Sequence, residues 1–387
     1  MRMFASFGTR FQVIKSVISL CLILILAACQ STDSLPDGLS NGEAGLEAAQ
    51  FGDGSFQVLA YFPRGTSEQE RRYRDIVRGA RLALQELRSD DVRLIVERPN
   101  ASPSAQSAFL QSLNGNKPGL IFGPSNPTDA QALASVDPQN RPPMLAFAAS
   151  AMPPNRSAWS LYAGVASEVA AAAEVVVGAG HKTFLIVHPS GLSDSVLTGV
   201  EQSLQRTGGE VVARVPYASS SLVRDLQRRK GVFQRATAAV VLGGGAEAGR
   251  VIESLADQSF AATLKSLIAT RSLPQEQYSR PYAQGLLIAQ PAKSGSTTLS
   301  EKYRATYGVP ITWDASIGFD AMAITIGILR ARGPEAVNAE TLQASRGFRG
   351  STGLFRLRSD GRIERRYAVY QIQDGALAEL RPGGDGF

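Results

Sequence analysis

From Ser55 onward the chain alternates between short, almost continuous apolar runs and longer stretches whose apolar residues recur every three or four positions. The runs Phe56-Gln57-Val58-Leu59-Ala60-Tyr61-Phe62, Val92-Arg93-Leu94-Ile95-Val96, Gly119-Leu120-Ile121-Phe122 and Met144-Leu145-Ala146-Phe147 predict strands covered on both faces. Between them, residues 67–88, 104–113 and 129–136 predict helices; in the first, Ile76, Val77, Ala80, Leu82, Ala83 and Leu84 form one apolar stripe. A second block repeats the pattern. It predicts helix 165–178, strand 183–187, helix 194–205 with Asp194 as N-cap, strand 210–215, helix 221–230, strand 238–242, helix 247–256, and strands 264–269 and 285–289. The end of the chain predicts helices 300–307 and 312–332, a turn into a strand over 348–357, a hairpin at Asp360-Gly361 and a return strand over 367–372. Strand–helix alternation in two blocks predicts an α/β fold: two three-layer α/β/α lobes with mainly parallel sheets.

The first residues follow a different pattern. Arg2, Arg10 and Lys15 precede Ser16–Leu26, which is almost wholly hydrocarbon, and small residues follow. A charged start, an apolar core of this length and small residues at its end describe a secretory signal over 1–28. The run falls short of the roughly 20 apolar residues a spanning helix needs. Residues 30–54 are Ser-, Gly-, Asn- and Ala-rich without a hydrophobic period, and read as a tether with order beginning near Ser55.

Composition narrows the function classes. The chain has 387 residues, net charge +6 and 19% charged residues. Removing a signal that holds three of the cations and no acid lowers the net charge to +3. The densest charged runs are Glu68–Asp75, mixed in sign as on a solvated helix face, and Arg228-Arg229-Lys230. No aromatic-plus-basic motif supports nucleic acid binding. Of the two cysteines, Cys21 lies in the signal, so the mature chain is expected to contain no disulfide, nucleophilic thiol or thiolate metal site.

Leu26-Ala27-Ala28-Cys29 resembles the lipobox of bacterial lipoproteins. The resemblance implies that Cys29 is acylated and becomes the mature first residue, anchoring the protein to a membrane through two or more chains. Gln30 after the cysteine, by similarity to enterobacterial sorting, favours the outer membrane, facing the periplasm.

The element order resembles the type I periplasmic binding proteins, the leucine/isoleucine/valine-binding branch in particular. The segments that carry it are Arg78–Leu84, Ile121-Phe122-Gly123-Pro124-Ser125, Gly318–Ala323, Gly350–Phe355 and Asp360-Gly361. The resemblance implies two lobes joined by three crossings, near 160–165, 284–292 and 347–353. Lobe 1 would comprise 55–163 with 290–348, and lobe 2 would comprise 164–289 with 349–381. The tether, lipobox and tail, Phe355–Gly361 with Arg365–Val369, are similar to lipoproteins that act as penicillin-binding protein activators. This implies a non-enzymatic activator of a peptidoglycan synthase. The alternative is an amino-acid receptor feeding an ABC importer.

In such sheets ligands bind beyond the carboxyl ends of the strands. By position in the family, Ser125, Asn126, Ala149 and Ser150 would offer hydroxyls and N–H groups to a carboxylate on one wall. His188, Ser190, Gly245 and Glu247 lie on the other, with Glu247 the acid for an ammonium. The plain alternatives are helix caps for Ser125 and Ser150, and a first-turn acid for Glu247. The family's usual aromatic and acidic residues after the fifth strand are replaced by His188-Pro189-Ser190, which favours the activator reading. Gly243–Gly249 lacks the dinucleotide spacing, His188, Ser190 and Asp194 lack a nucleophile elbow, and no metal-ligand spacing occurs, so neither catalysis nor a cofactor is expected.

Overall fold

The computed structural model describes residues 50–100, 105–149, 152–218, 222–256, 263–292 and 297–387. Its first half runs β1 (Gln50–Phe51), β2 (Phe56–Tyr61), α1 (Ser67–Glu86), β3 (Val92–Glu97), α2 (Ala105–Asn116), β4 (Leu120–Phe122), α3 (Pro127–Ala134), β5 (Met144–Ala146) and β6 (Ala158–Ser160). These strands make one sheet in the order β1-β3-β2-β4-β5-β6, parallel except for β1. β1 extends order upstream of Ser55, because Gln50 and Phe51 pair with Ile95 and Leu94.

The second half runs α4 (Val165–Gly178), β7 (Thr183–Pro189), α5 (Asp194–Arg206), β8 (Glu210–Tyr217), α6 (Leu222–Arg228), β9 (Ala238–Val241), α7 (Gly245–Ala256), β10 (Ser266–Ala269) and β11 (Leu287–Pro291). Helices α8 (Thr297–Tyr307) and α9 (Trp313–Arg332) follow. The chain then forms a small sheet of β12 (Phe348–Gly350), β13 (Gly353–Leu357) and β14 (Ile363–Arg365), and ends in β15 (Tyr367–Gln373) and β16 (Ala376–Arg381). The second large sheet has the order β16-β15-β11-β10-β9-β7-β8, with β15 and β16 antiparallel at one side. The N-cap of α5 is Ser193, with Asp194 the first helical residue.

Period-two alternation explains the layers. In β7, Phe184 and Ile186 pack with Val169, Val176, Leu197 and Val200 of α4 and α5, while Leu185 and Val187 pack with Leu226, Val251 and Ile252 of α6 and α7. In the first sheet, Leu59 and Tyr61 meet Phe109, Leu113 and Leu133 of α2 and α3. Both sheets are therefore covered on two faces, and the chain forms two α/β/α lobes.

Helix α1 begins with a capping box: Thr66 Oγ1 accepts from Gln69 N at 3.4 Å, and Gln69 Oε1 accepts from Thr66 N at 2.7 Å. It packs on α9 with the backbones in contact. A Cβ at Gly79 would lie 1.9 Å from the Ala315 carbonyl oxygen, and one at Gly318 would lie 2.1 Å from that of Ile76. Asp320 of α9 then accepts from Ser351 N at 2.6 Å and Thr352 N at 2.9 Å, fixing the turn between β12 and β13. The small sheet also leans on β6, where Trp159 Nε1 donates to Arg358 O at 2.9 Å and Ser160 N to Gly361 O at 3.1 Å. The chain thus reaches the second large sheet between β14 and β15, later than the 347–353 crossing expected from the sequence. That turn is held to the first lobe by the Asp320 carboxylate.

Candidate functional site

Each large sheet reverses its strand order once. In the first, β3 lies on one side of β2 and β4 on the other; in the second, β8 and β9 flank β7 in the same way. The carboxyl ends of strands at such a reversal leave a crevice between diverging loops. At the β2/β4 reversal, Pro63-Arg64-Gly65 and Pro124-Ser125-Asn126 line a cavity of about 390 Å³ together with Thr66, Gln69 and Asp129. Ser125 is buried. The Asn126 side-chain oxygen caps α3, accepting from Thr128 N at 2.8 Å and Asp129 N at 3.4 Å, so the cap role weighed for Ser125 belongs to its neighbour. That leaves the Asn126 amide NH₂ as a donor. The β5 loop lies beside it, since Phe147 N donates to Pro124 O at 2.9 Å; Ala149 is exposed. Ser150 and Cys29 lie outside the described residues.

At the β7/β9 reversal stand His188, Ser190, Gly245 and Glu247. His188 is buried, and its Nδ1 lies 2.9 Å from Pro189 O; a carbonyl only accepts, so this nitrogen carries the proton. Ser190 is exposed, with its N–H donating to Tyr217 O at 2.8 Å. Gly245 opens α7 at φ +66°, and Glu247 follows in its first turn, half-buried. Burial, with Glu247 nearby, pushes the Tyr217 hydroxyl up to about 12; it donates to Leu242 O at 3.0 Å. Of the residues expected to form the cleft, Ser125 and Asn126 lie at the first reversal and His188, Ser190, Gly245 and Glu247 at the second, while Ala149 lies on the adjoining loop.

Several residues the sequence left aside also reach these edges. Arg72 of α1 leaves the solvated face assigned to its charged run. It donates to Ser125 O at 3.3 Å and Phe147 O at 2.7 Å, lies 3.5 Å from Asp314 Oδ1, and sits 4.8 Å from the centre of the Tyr162 ring. Burial raises the Asp314 carboxyl above its ordinary range against the pull of Arg72 and Arg71. Beside Asp314, Trp313 begins α9, and the Arg271 guanidinium of the other lobe lies 4.3 Å from its ring centre. Arg271 Nε also pairs with Glu168 of α4 at 2.6 Å. Burial raises the Glu168 carboxyl, and Arg271 opposes that shift. A continuous line of polar and aromatic contacts therefore runs from Ser125 through Arg72, Asp314, Trp313 and Arg271 to Glu168. The one signal for it in the sequence is Trp313, one of only two tryptophans, placed at a helix start.

Among the described residues no group of His, Cys, Asp and Glu is arranged to hold a metal ion, and no helix is long and apolar enough to cross a membrane. The site offers cationic, hydroxyl and amide donors on one lobe and acidic and cationic groups on the other. It is equipped to hold a small charged molecule.

Two α/β/α lobes with crevices at matching strand reversals define a bilobal binding protein. The chain belongs to the family described as periplasmic binding protein, whose profile matches residues 66–376. That family operates in the periplasm or cell envelope. A search of curated protein sequences found no match. Among solved structures, a putative branched-chain amino acid ABC transporter protein from Rhodospirillum rubrum superposes with a TM-score of 0.67 at 16% identity, over 84% of this chain and 100% of that one. A solute-binding protein of an R. palustris ABC transporter, in complex with benzoate, gives 0.61 at 16%, over 86% and 98%. An ABC transporter substrate-binding protein from Desulfitobacterium hafniense, in complex with Leu, gives 0.59 at 20%, over 84% and 99%. At these identities the likeness is one of fold.

Proposed function

We propose that this chain is a non-enzymatic, lipid-anchored solute-binding protein of the cell envelope that captures a small amino-acid-like carboxylate for an ABC importer. The observation that carries the reading is the pairing of donor-rich loops at one strand reversal with an acid at the other. Ser125 and Asn126, backed by Arg72, supply donors and positive charge for a carboxylate. Glu247, in the first turn of α7, supplies the partner for an ammonium. Two of the related structures named above hold a carboxylate, benzoate in one and leucine in the other, which supports this class of solute.

A ligand that touches both lobes favours the closed form by its differential affinity. The anchor at Cys29, with its preference for the outer membrane, belongs to the same proposal and rests on the lipobox resemblance.

Activation of a peptidoglycan synthase is the second reading. It is favoured by one observation: the Arg271–Trp313 contact joins the lobes through the protein's own side chains, as a fixed docking platform requires. The named relatives support the receptor over this reading.

Thermal melting against leucine, isoleucine and benzoate tests the choice. A solute present at 100 times its Kd stabilises by about 2.7 kcal/mol, so a receptor shows a clear rise in Tm with at least one carboxylate. No rise with any of them, together with recovery of a glycan synthase from solubilised envelope, would replace the receptor with the activator.

A further inference from the structure

A second, larger recess lies away from the strand reversals. It holds about 810 Å³ and is bounded by α4, α5, the β14–β15 segment and the C-terminal residues 381–386. Six arginines line it: Arg206, Arg358, Arg362, Arg365, Arg366 and Arg381. Three carboxylates accompany them, and two of these are ion-paired. Glu174 pairs with Arg381 at 2.6 Å, Glu364 with Arg358 at 2.8 Å, and Asp360 accepts from Arg362 N at 3.1 Å.

The other arginines have no carboxylate partner. Arg206 donates only to Gln202 O and Ser203 Oγ, and Arg366 to Gly386 O. Among the described residues the Arg362 side chain makes no ion pair, and it is exposed. Arg365 is 93% buried by its 7% residual exposure; it donates to Thr352 and Leu161 oxygens, and its Nε has no hydrogen-bond partner. Thr352 Oγ1 accepts from Arg365 and donates to Asp320 Oδ2, so the nearby Asp320 carboxylate offsets only part of this buried positive charge. Guanidinium forks match phosphate oxygens two at a time. The recess has the size of a small-molecule site, commonly about 300–1,000 Å³.

We propose that this recess binds a phosphate-bearing anion, with Arg206, Arg362 and Arg366 as its ligands and Arg365 as the buried positive floor. The phosphate is either a free oligophosphate or the headgroup of an anionic phospholipid. The proposal does not rest on the receptor reading, although the Arg365 guanidinium also lies 5.4 Å from the centre of the Trp313 ring.

The full chain in neutral-detergent micelles is melted with inorganic triphosphate and, separately, with micelles containing phosphatidylglycerol, at low and high salt. The wild type is expected to gain several degrees in Tm, saturably at low salt and with loss of the effect at high salt. The response should fall at least tenfold in apparent affinity in the Arg206→Glu/Arg362→Glu variant, both of whose substitutions are at exposed positions. Response to triphosphate identifies a soluble ligand, and response to phosphatidylglycerol alone identifies a headgroup. No shift with either probe, or an equal shift in wild type and variant, overturns the site. The basal Tm of the Arg206→Glu/Arg362→Glu variant, read in the same scan without probe, separates loss of a phosphate contact from a folding defect.

Discussion

Arg271 lies over the Trp313 ring at 4.3 Å while its Nε holds Glu168 at 2.6 Å, so one guanidinium from the second lobe both stacks on the first lobe and neutralises a buried acid. A cation over an indole contributes about 0.5–2 kcal/mol, depending on desolvation. Trp313→Ala should therefore lower Tm by a few degrees and raise the radius of gyration measured by X-ray scattering, as the lobes lose this tie. A Tm loss with unchanged scattering would mean the contact only packs and does not join the lobes.

Glu168 sets a pH dependence whose sign is opposite to that of an ordinary paired acid. Its folded-state pKa is raised by burial above the ordinary 4.5, so the folded protein binds the proton more tightly than the unfolded chain. Stability from this group then falls as pH rises from 4.5 through the raised value. Relative to Glu168→Gln, the wild type should gain stability as pH is lowered from neutrality towards 4.5 in urea melts. A difference that is flat, or that grows with pH, contradicts the burial assigned to this carboxyl.

The α1–α9 crossing makes a contrast within a single helix. Gly318→Ala forces a Cβ to 2.1 Å from the Ile76 carbonyl, whereas a Cβ at Gly327, on the same helix, meets nothing within 4 Å. Overpacking typically costs about 1–3 kcal/mol, and Gly→Ala in an open helix interior gains up to about 1 kcal/mol. Chemical denaturation should show Gly318→Ala destabilised and Gly327→Ala neutral or stabilised.

Glu247 divides the two kinds of carboxylate. Glu247→Gln should weaken an amino acid about tenfold or more, roughly 1.4 kcal/mol, and leave benzoate, which has no ammonium, unchanged. Equal effects on both solutes would move the ammonium partner elsewhere.

The anchor has its own test. Metabolically labelled palmitate should appear on the wild type, and Cys29→Ala should lose both the label and its fractionation with the envelope. Retention of the label in the variant would place acylation at another residue.

The buried strands were legible because a parallel strand covered on both faces has to be nearly all apolar; β2, β4, β7 and β9 read directly from the chain. Three edge strands were not, whereas the longer edge strand β8 was legible over 210–215. β1, β6 and β16 each pair on one side only, and their two to six residues carry no long apolar run. The site loops could be located because they follow strands at the order reversals. Arg72 could not, since it lies in a run of mixed charge, Glu70-Arg71-Arg72-Tyr73-Arg74, and only the tertiary placement of the Ser125 and Phe147 carbonyls, Asp314 and the Tyr162 ring draws its side chain inward. Trp313 and Arg271 come from opposite lobes, and their meeting depends on the packing of α9, which leaves no periodic trace at Arg271.

The receptor account is tested most directly by calorimetric titration of the best stabilising carboxylate into wild type and Arg72→Ala. The account predicts one-to-one binding, weakened at least tenfold in the variant, because Arg72 holds the Ser125 and Phe147 loops and supplies the positive charge behind them. Equal affinity in the two proteins, or no heat with any carboxylate, would contradict it.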